Sequence, residues 1–394
     1  VILPGTRTLP GFAAAVYVGI MAPRRNPRRN SRKGKSTATR ENAMSVGSVE
    51  HAAAAMRAGK PVLIANGREI VMAYAVETLA EKTLAGLRKS KPSLVLTHAR
   101  ARTLKIRLYT PDVVALPIGA KDTADALRAI TDPTADLSAP LKGPFEAQRT
   151  KLPDGFSAAV NLAKLAGLLP AVVASRIAAA PKNVAKIKLT DILSYEDEAA
   201  KTLAIVTRAR VPLEDAEKTE LVAFRSAGGG PEHYAIVINS PSPQKPVLTR
   251  LHSECFTGDL LGSLKCDCGT QLRGAIEAIS KSGGGILLYL AQEGRGIGLI
   301  NKLRAYRLQD QGFDTLEANE RLGFKADERL YGVAAKMLKL LGYKSVALMT
   351  NNPDKVAGLK AAGIDVPKRV THAFPSNAHN ENYLAAKARA GHLF

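Results

Sequence analysis

The sequence predicts an α+β protein: two mixed α/β domains in tandem, behind a basic and disordered N-terminal tail. Three observations lead there. Helical and strand periods alternate from Val46 to about Leu193. A linker with Pro181, a basic stretch and Ser194-Tyr-Glu-Asp-Glu198 follows, and from about Leu203 apolar strands run straight into polar, Gly-rich turns. A length of 394 residues suits two domains. The expected boundaries are 1–44 for the tail, 45–195 for the first domain and 203–394 for the second.

Composition narrows the function classes. With 46% hydrophobic and 23% charged residues, the chain can bury sizeable cores. Its apolar stretches stop short of the roughly 18 residues of a spanning helix, which argues against a membrane partner. Three cysteines exclude a disulfide-stapled secreted scaffold. The net charge is +21, with +8 in residues 1–44 and +13 in the remainder. Such a surplus fits a protein that handles anions, nucleotides included, and does not single out nucleic acid.

The elements follow in order. PRRNPRRNSRKGKSTATR in the tail is basic, Pro-punctuated and poor in apolar residues, so disorder is expected. No secretory leader is read there, because the Arg cluster follows the apolar stretch Gly11 to Met21. The sequence opens on Val1, and Met21 and Met44 are candidate natural starts. Val49 to Ala58 is predicted helical, ending at Gly59, with Pro61–Ala65 and Ser93–Thr97 as short buried strands. Leu162 to Gly167 is a helix segment closed by its glycine. In the second domain Gly285–Leu290 and Ser345–Met349 are apolar strands. Leu299 to Gln311 is a helix with Leu299, Leu303 and Tyr306 on one side. Asp327 and Arg329 are expected at the solvated start of a helix carrying Val333, Leu338 and Leu341. Asn352 is a fitting N-cap, with Pro353 at the first helical position and Gly363 at the end.

The chemistry concentrates in the second domain. All three cysteines, Cys255, Cys266 and Cys268, fall within 14 residues. Cys266 and Cys268 are two apart, so an extended backbone turns both thiols to one side. Three thiolates with one open position is the donor set of a catalytic zinc rather than a closed structural one. Arg250-Leu-His-Ser-Glu254 precedes the first cysteine, and its Arg, His and Glu can bind phosphate, polarise a base or support the metal. Gln292-Glu-Gly-Arg-Gly-Ile-Gly298 is a Gly-rich turn that lets backbone N–H groups approach an anion. It is not a Walker loop. Thr350-Asn-Asn-Pro-Asp-Lys355 sets a Thr, two amides and a Lys at a helix start, which suits a purine or phosphate.

These stretches resemble one family. RLHSECFTGDLLGSLKCDCGTQL, LAQEGRGIGLINKLRAYRLQDQG, DTLEAN, LGFKADER, LMTNNPDK and the terminal NENYLAAKARAGHL are similar to GTP cyclohydrolase II over roughly residues 205–394. The resemblance implies opening of the GTP imidazole ring, with release of formate and pyrophosphate. The implied product is 2,5-diamino-6-ribosylamino-4(3H)-pyrimidinone 5′-phosphate, in the first step of riboflavin synthesis. It assigns Zn2+ to Cys255, Cys266 and Cys268. GTP contacts fall to Arg250, Leu251, His252, Ser253, Glu254, Gln271, Glu293, Gly294, Arg295, Thr315, Thr350 and Lys355. Asp327 matches a proton acceptor, Arg329 a residue that attacks the α-phosphorus, and Tyr306 an essential tyrosine. Mg2+ would accompany the triphosphate. Two alternatives stay open: a cyclohydrolase-like paralogue of another pathway, such as uracil degradation, and a nucleotide-binding protein without turnover.

The first domain resembles 3,4-dihydroxy-2-butanone-4-phosphate synthase, through Ala158–Pro170 and Lys188–Tyr195. Its expected chemistry is missing. The acidic loop after the first strand is shortened to Asn66-Gly-Arg-Glu69, Gly155 and Ser157 stand where a metal-ligand His and an acid are expected, and Arg176 replaces a Glu. A degenerate, inactive domain is the expectation. Both families imply a homodimer, and zinc-bound thiolates imply the reducing cytoplasm.

Overall fold

The computed structural model describes residues 33–329, 331–389 and 391–393. The tail expected to be disordered lies outside these residues up to position 32. From Lys33 onward that expectation fails, because the chain is helical over α1 (Lys33–Arg57). The reason is legible in the stretch itself. It contains no proline, and Val46, Val49, Ala53 and Met56 recur at helical spacing and are buried. Thr39–Phe394 forms one compact unit.

A first sheet is built from β1 (Val62–Asn66), β2 (Glu69–Ala75), β3 (Ser93–Thr97), β4 (Val113–Pro117), β5 (Ala171–Ile177) and β6 (Ala185–Lys188). Its order is β4-β3-β5-β2-β1-β6, antiparallel except for the β1–β6 pair. Both predicted strands fall within it. Helices α2 (Glu81–Leu87), α3 (His98–Thr103), α4 (Ala124–Thr131), α5 (Asp154–Leu165) and α6 (Leu189–Leu193) complete this region. The sheet is covered on both faces, which explains why its strands read as apolar runs rather than alternating ones. Val95, Val172 and Ala174 pack toward α1 and α5, whereas Leu94, Leu96 and Val173 join Leu84 and Leu127 on the other side.

A second sheet follows α7 (Tyr195–Thr202). Its strands are β7 (Leu203–Arg210), β8 (Thr219–Ser226), β9 (His233–Ile238), β10 (Val247–Ser253), β11 (Gly285–Leu290), β12 (Ser345–Met349) and β13 (Asp365–Val370). Their order is β13-β12-β10-β11-β9-β8-β7. The first four in that order are parallel neighbours, and the rest pair antiparallel. Between and after them come α8 (Cys268–Lys281), α9 (Glu293–Gly296), α10 (Leu299–Asp310), α11 (Thr315–Arg321), α12 (Gly332–Leu340), α13 (Pro353–Ala361) and α14 (Glu381–Arg389). Parallel β10, β11 and β12 end side by side, so the residues after them (Glu254, Ala291 and Thr350) meet at one edge. In sheets of this kind ligands bind at that carboxyl edge.

Two expectations here need correction. Asp327 and Arg329 do not start a helix: they lie in the loop before α12, where the Asp327 carboxylate accepts from the Arg329 backbone N–H. On α10 the buried side is Asn301, Lys302, Ala305 and Leu308, while Leu303 is exposed. The predicted cap of α13 is present, with Asn352 Oδ1 accepting from Asp354 N at 2.8 Å.

In the first domain the fully buried Arg100 guanidinium donates to both carboxylate oxygens of Asp136 and to the Ile130 carbonyl. Burial opposes ionisation of Asp136, but hydrogen bonds and charge from Arg100 and Lys142 outweigh it and hold its carboxyl below the usual range. A depressed folded-state value stabilises the protein above the unfolded value near 4, and this stabilisation is lost as pH falls through the folded value. Asp136→Asn should therefore cost about 3 kcal/mol at neutral pH. In thermal unfolding of the full chain, the gap between wild type and variant should narrow in acid.

Candidate active site

The three cysteine sulfurs lie within 4.8 Å of one another at the carboxyl edge of the second sheet. Cys255 follows β10, and Phe256–Leu260 then winds a single π turn. That turn folds back because Asp259 ties it to the sheet. Its carboxylate accepts from Cys255 N at 3.0 Å, from Tyr289 Oη at 2.9 Å and faces His252 Nε2 at 3.0 Å. Cys266 and Cys268 approach by a route other than the extended backbone expected from their spacing. Asp267 between them has φ −97° and ψ 9°, a bend into α8. Gly258 makes the cluster possible: a Cβ there would lie 2.9 Å from Cys266 Sγ and 3.0 Å from Cys255 Sγ.

Three thiols this close cannot all ionise unaided. Hydrogen bonds from Cys266 and Cys268, then Lys302, pull the Cys255 thiol far down. Its hydrogen bond to Cys255 pushes Cys266 up to about 11, and the same partnership raises Cys268 well above its ordinary value. A divalent cation would remove this conflict, and three sulfurs in one buried space are a soft, open donor set that fits it. The cluster therefore fits a metal ion.

Around the cysteines opens a cleft of about 1070 Å³, its mouth included. Among the described residues, seven Lys and Arg side chains line it against two carboxylates, Glu254 and Glu293, a balance that suits an anion. Arg250, buried on β10, donates to the Met349 carbonyl at 3.0 Å and to Gln271 Oε1. Burial lowers its pKa to about 10, against the pull of Asp267. Lys355, wholly buried, donates to the Leu251 carbonyl at 2.8 Å, and burial followed by Arg250 drives its pKa far down. An arriving anion would relieve both. Arg250 Nε, Ser253 Oγ and Arg295 Nη2 are buried without a hydrogen-bond partner in the protein, as expected of groups aimed at a ligand.

The turn after β11 closes another side of the cleft. Gly294 and Arg295 both take left-handed backbone, φ 63° and 61°. Glu293 accepts from Phe256 N at 2.6 Å and from Lys302 Nζ at 2.9 Å, joining this turn to the cysteine loop. Lys302 also donates to Cys255 Sγ at 3.0 Å. Tyr306, one turn further along α10, stands 3.3 Å from Thr257 Oγ1, and burial raises its pKa, so it keeps its proton at neutral pH.

A family model described as GTP cyclohydrolase II matches residues 204–371. The chain is 48% identical over 361 residues to a GTP cyclohydrolase-2 of Azospirillum brasilense, covering 88% of this chain and 94% of that one. The chain belongs to the GTP cyclohydrolase II family. Its members are enzymes, and so is this chain. It is also 42% identical over 304 residues to the riboflavin biosynthesis protein RibBA of Synechocystis sp., covering 71% of this chain and 54% of that one. Among solved structures it matches RibBX, a two domain 3,4-dihydroxy-2-butanone 4-phosphate synthase from A. baumannii. There the identity is 18%, the TM-score 0.33 and the coverage 83% of this chain and 99% of that one.

Of the residues that the cyclohydrolase II resemblance singled out, most line this one cleft: Arg250, His252, Ser253, Glu254, the three cysteines, Gln271, Glu293, Gly294, Arg295, Tyr306, Thr315, Arg329, Thr350 and Lys355. Two stand apart. The Leu251 side chain points into the hydrophobic core, leaving only its carbonyl near the site. Asp327 stands behind Arg329, accepting from its Nε at 2.9 Å rather than lining the cleft. Sequence reasoning missed Lys302, Asp259, His372, Lys387 and His392, whereas the amide pair Asn351 and Asn352 that it noted after Thr350 does line the cleft. Lys302 was within reach, since it sits four residues before Tyr306 and so on the same helix face. Lys387 was not: α14 folds back from a distant position, and its Nζ reaches Asp267 Oδ1 at 2.7 Å. Gly258→Ala should push the sulfurs apart and lower bound metal several-fold by elemental analysis, with secondary structure intact.

Proposed function

We propose that this chain hydrolyses GTP in the first step of riboflavin biosynthesis. It would open the imidazole ring and release formate, pyrophosphate and the diaminopyrimidinone ribosyl phosphate. The observation that carries the reading is the three-sulfur cluster at one end of a cleft whose other walls are cationic. That is the arrangement a purine triphosphate needs if its ring is to be cut while its phosphates are held. Cys255, Cys266 and Cys268 would hold Zn2+, which when bound makes water nucleophilic near neutral pH. Mg2+ would travel with the triphosphate.

The chain's own residues divide the remaining work. Lys302 would hold Cys255 as a thiolate, and Tyr306, protonated, would donate a hydrogen bond toward the base. Arg250, Arg295 and Lys355 would bind phosphate or base oxygens through the donors and charge described above. Arg329 would face the α-phosphorus. Burial alone would raise the Asp327 carboxyl, but hydrogen bonds and charge from Arg329 overcome it and hold it low. A carboxylate so held is a weak base, so in this state Asp327 serves chiefly to aim the guanidinium.

Purified chain loaded with zinc should release formate and pyrophosphate from GTP. GTP bound without formate would leave a nucleotide-binding protein instead, and formate with a different product would favour a paralogue of another pathway. Cys266→Ser should lose metal and formate release together. Arg329→Ala should keep its metal and lose turnover by at least about a hundredfold. We further propose a cytoplasmic homodimer. No helix among the described residues is long and apolar enough to cross a membrane, and light scattering at the monomer mass would refute the dimer.

The first domain is proposed to be an inactive synthase relative. Asn66 and Glu69 pair across a two-residue hairpin turn, with Gly67 at φ 57°, leaving no loop to hold a metal. A Cβ at Gly155 would lie 2.7 Å from a Val71 methyl, so no ligand side chain fits there. The one acid of the turn, Glu69, faces Arg176 at 3.9 Å. Incubation of the full chain with ribulose 5-phosphate should yield no dihydroxybutanone phosphate, and any yield above a heat-killed control would refute inactivity.

A further inference from the structure

The first domain is attached to the nucleotide cleft at the elements that carry its reactive side chains. On α5, Lys164 Nζ lies 2.6 Å from Glu328 Oε1, and both side chains are about one-fifth exposed. Glu328 stands between Asp327 and Arg329. Its Oε1 also accepts from Lys325 N at 2.9 Å, and its own N–H donates to the Arg295 carbonyl at 3.0 Å. Gly296 packs against the same residue: a Cβ there would meet the Glu328 backbone at 3.1 Å. Lys164 therefore pins the loop of Arg329 onto the turn of Arg295.

A second attachment grips α10. Glu77, in the segment after β2, binds Arg304 through both oxygens, at 2.8 and 3.3 Å, while also accepting from Leu169 N at 2.9 Å. Asn301, wholly buried, donates to the Gly167 carbonyl at 3.1 Å. Lys302 and Tyr306 ride on the same helix, one residue beyond Asn301 and two beyond Arg304. Leu169 itself is inserted among Ile297, Ala305, Leu308 and Phe324.

We infer that Lys164 and Glu77 are positioning residues of the cyclohydrolase site, through which the first domain fixes Arg329 and the helix of Tyr306. The inference rests on the function proposed above. Without Lys164, the half-buried Glu328 carboxylate loses its cation beside Arg329 and competes with Asp327 for the guanidinium. Displacements of an ångström at such groups cost turnover far more than they cost binding.

The test uses the full chain and the variants Lys164→Met, Lys164→Arg and Glu77→Gln. Lys164→Met and Glu77→Gln should each lower kcat between about tenfold and a hundredfold. KM should change less than threefold, and bound zinc and melting temperature should stay near wild type. Lys164→Arg should restore most of the loss. Lys164→Met combined with Glu328→Gln should be no worse than either alone, since both remove one contact. Wild-type turnover in both single variants would overturn the inference. So would a loss that follows falling zinc or a falling folded fraction, because the contacts would then be purely structural. If the unaltered chain releases no formate, the proposed function has failed. The coupling is then read from backbone hydrogen exchange: amides of 325–329 should exchange several-fold faster in Lys164→Met and those of α10 in Glu77→Gln, and wild-type protection in both variants would overturn the inference as well.

Discussion

Thiolates repel one another, and three of them within 4.8 Å inside a protein cannot all carry charge unless a cation compensates them. Much of the second domain answers to that constraint. A sulfur cluster needs a backbone that bends twice in a short span, and the bends come from the π turn after Cys255 and the turn at Asp267. It also needs a neighbour without a side chain, which is Gly258. The returning loop must be anchored to something stiff, and Asp259 anchors it to the ends of β10 and β11 through His252 and Tyr289. Lys302 contributes a positive charge that touches a sulfur directly. A parallel core holds the ends of its strands at fixed spacing, so the sulfur site and the cations of the cleft keep a constant separation.

Chemistry confined to short stretches was readable in advance. The cysteine run, the Gln292–Gly298 turn and the Thr350–Lys355 helix start each follow a strand, and the sheet gathers all three at one edge. The readable failures were of local geometry. Leu251 lies between Arg250 and His252 on one strand, so the two-residue period that turns those inward turns it to the core. Asp327 and Arg329 form a loop because the helix after them begins only at Gly332. What sequence spacing could not supply was contact over long separations. The pairing of Lys387 with Asp267, 120 residues apart, has no local signature. Neither do the attachments of Glu77 and Lys164.

The two sheets meet through a mixed interface. Its apolar part is small, centred on Leu169, and much of the rest is charged or hydrogen-bonded. Hydrophobic burial adapts to small shifts, whereas buried ion pairs and amide–carbonyl contacts tolerate few orientations. An interface with this balance specifies relative placement more than it adds adhesion. That suits a domain whose placement against the cleft matters more than the strength of its attachment.

The tight fit at Gly155 limits what the first domain can acquire. Val71 is wholly buried, and its methyls fill the space where any other side chain at position 155 would begin. A single codon change toward a ligand there would meet overpacking worth about 1–3 kcal/mol before any benefit could arise. Trimming Val71 first would open a void with its own penalty. Either order passes through a less stable intermediate. Position 155 is therefore closed to new chemistry by the interior packing itself, before any question of which ligand a side chain there would offer.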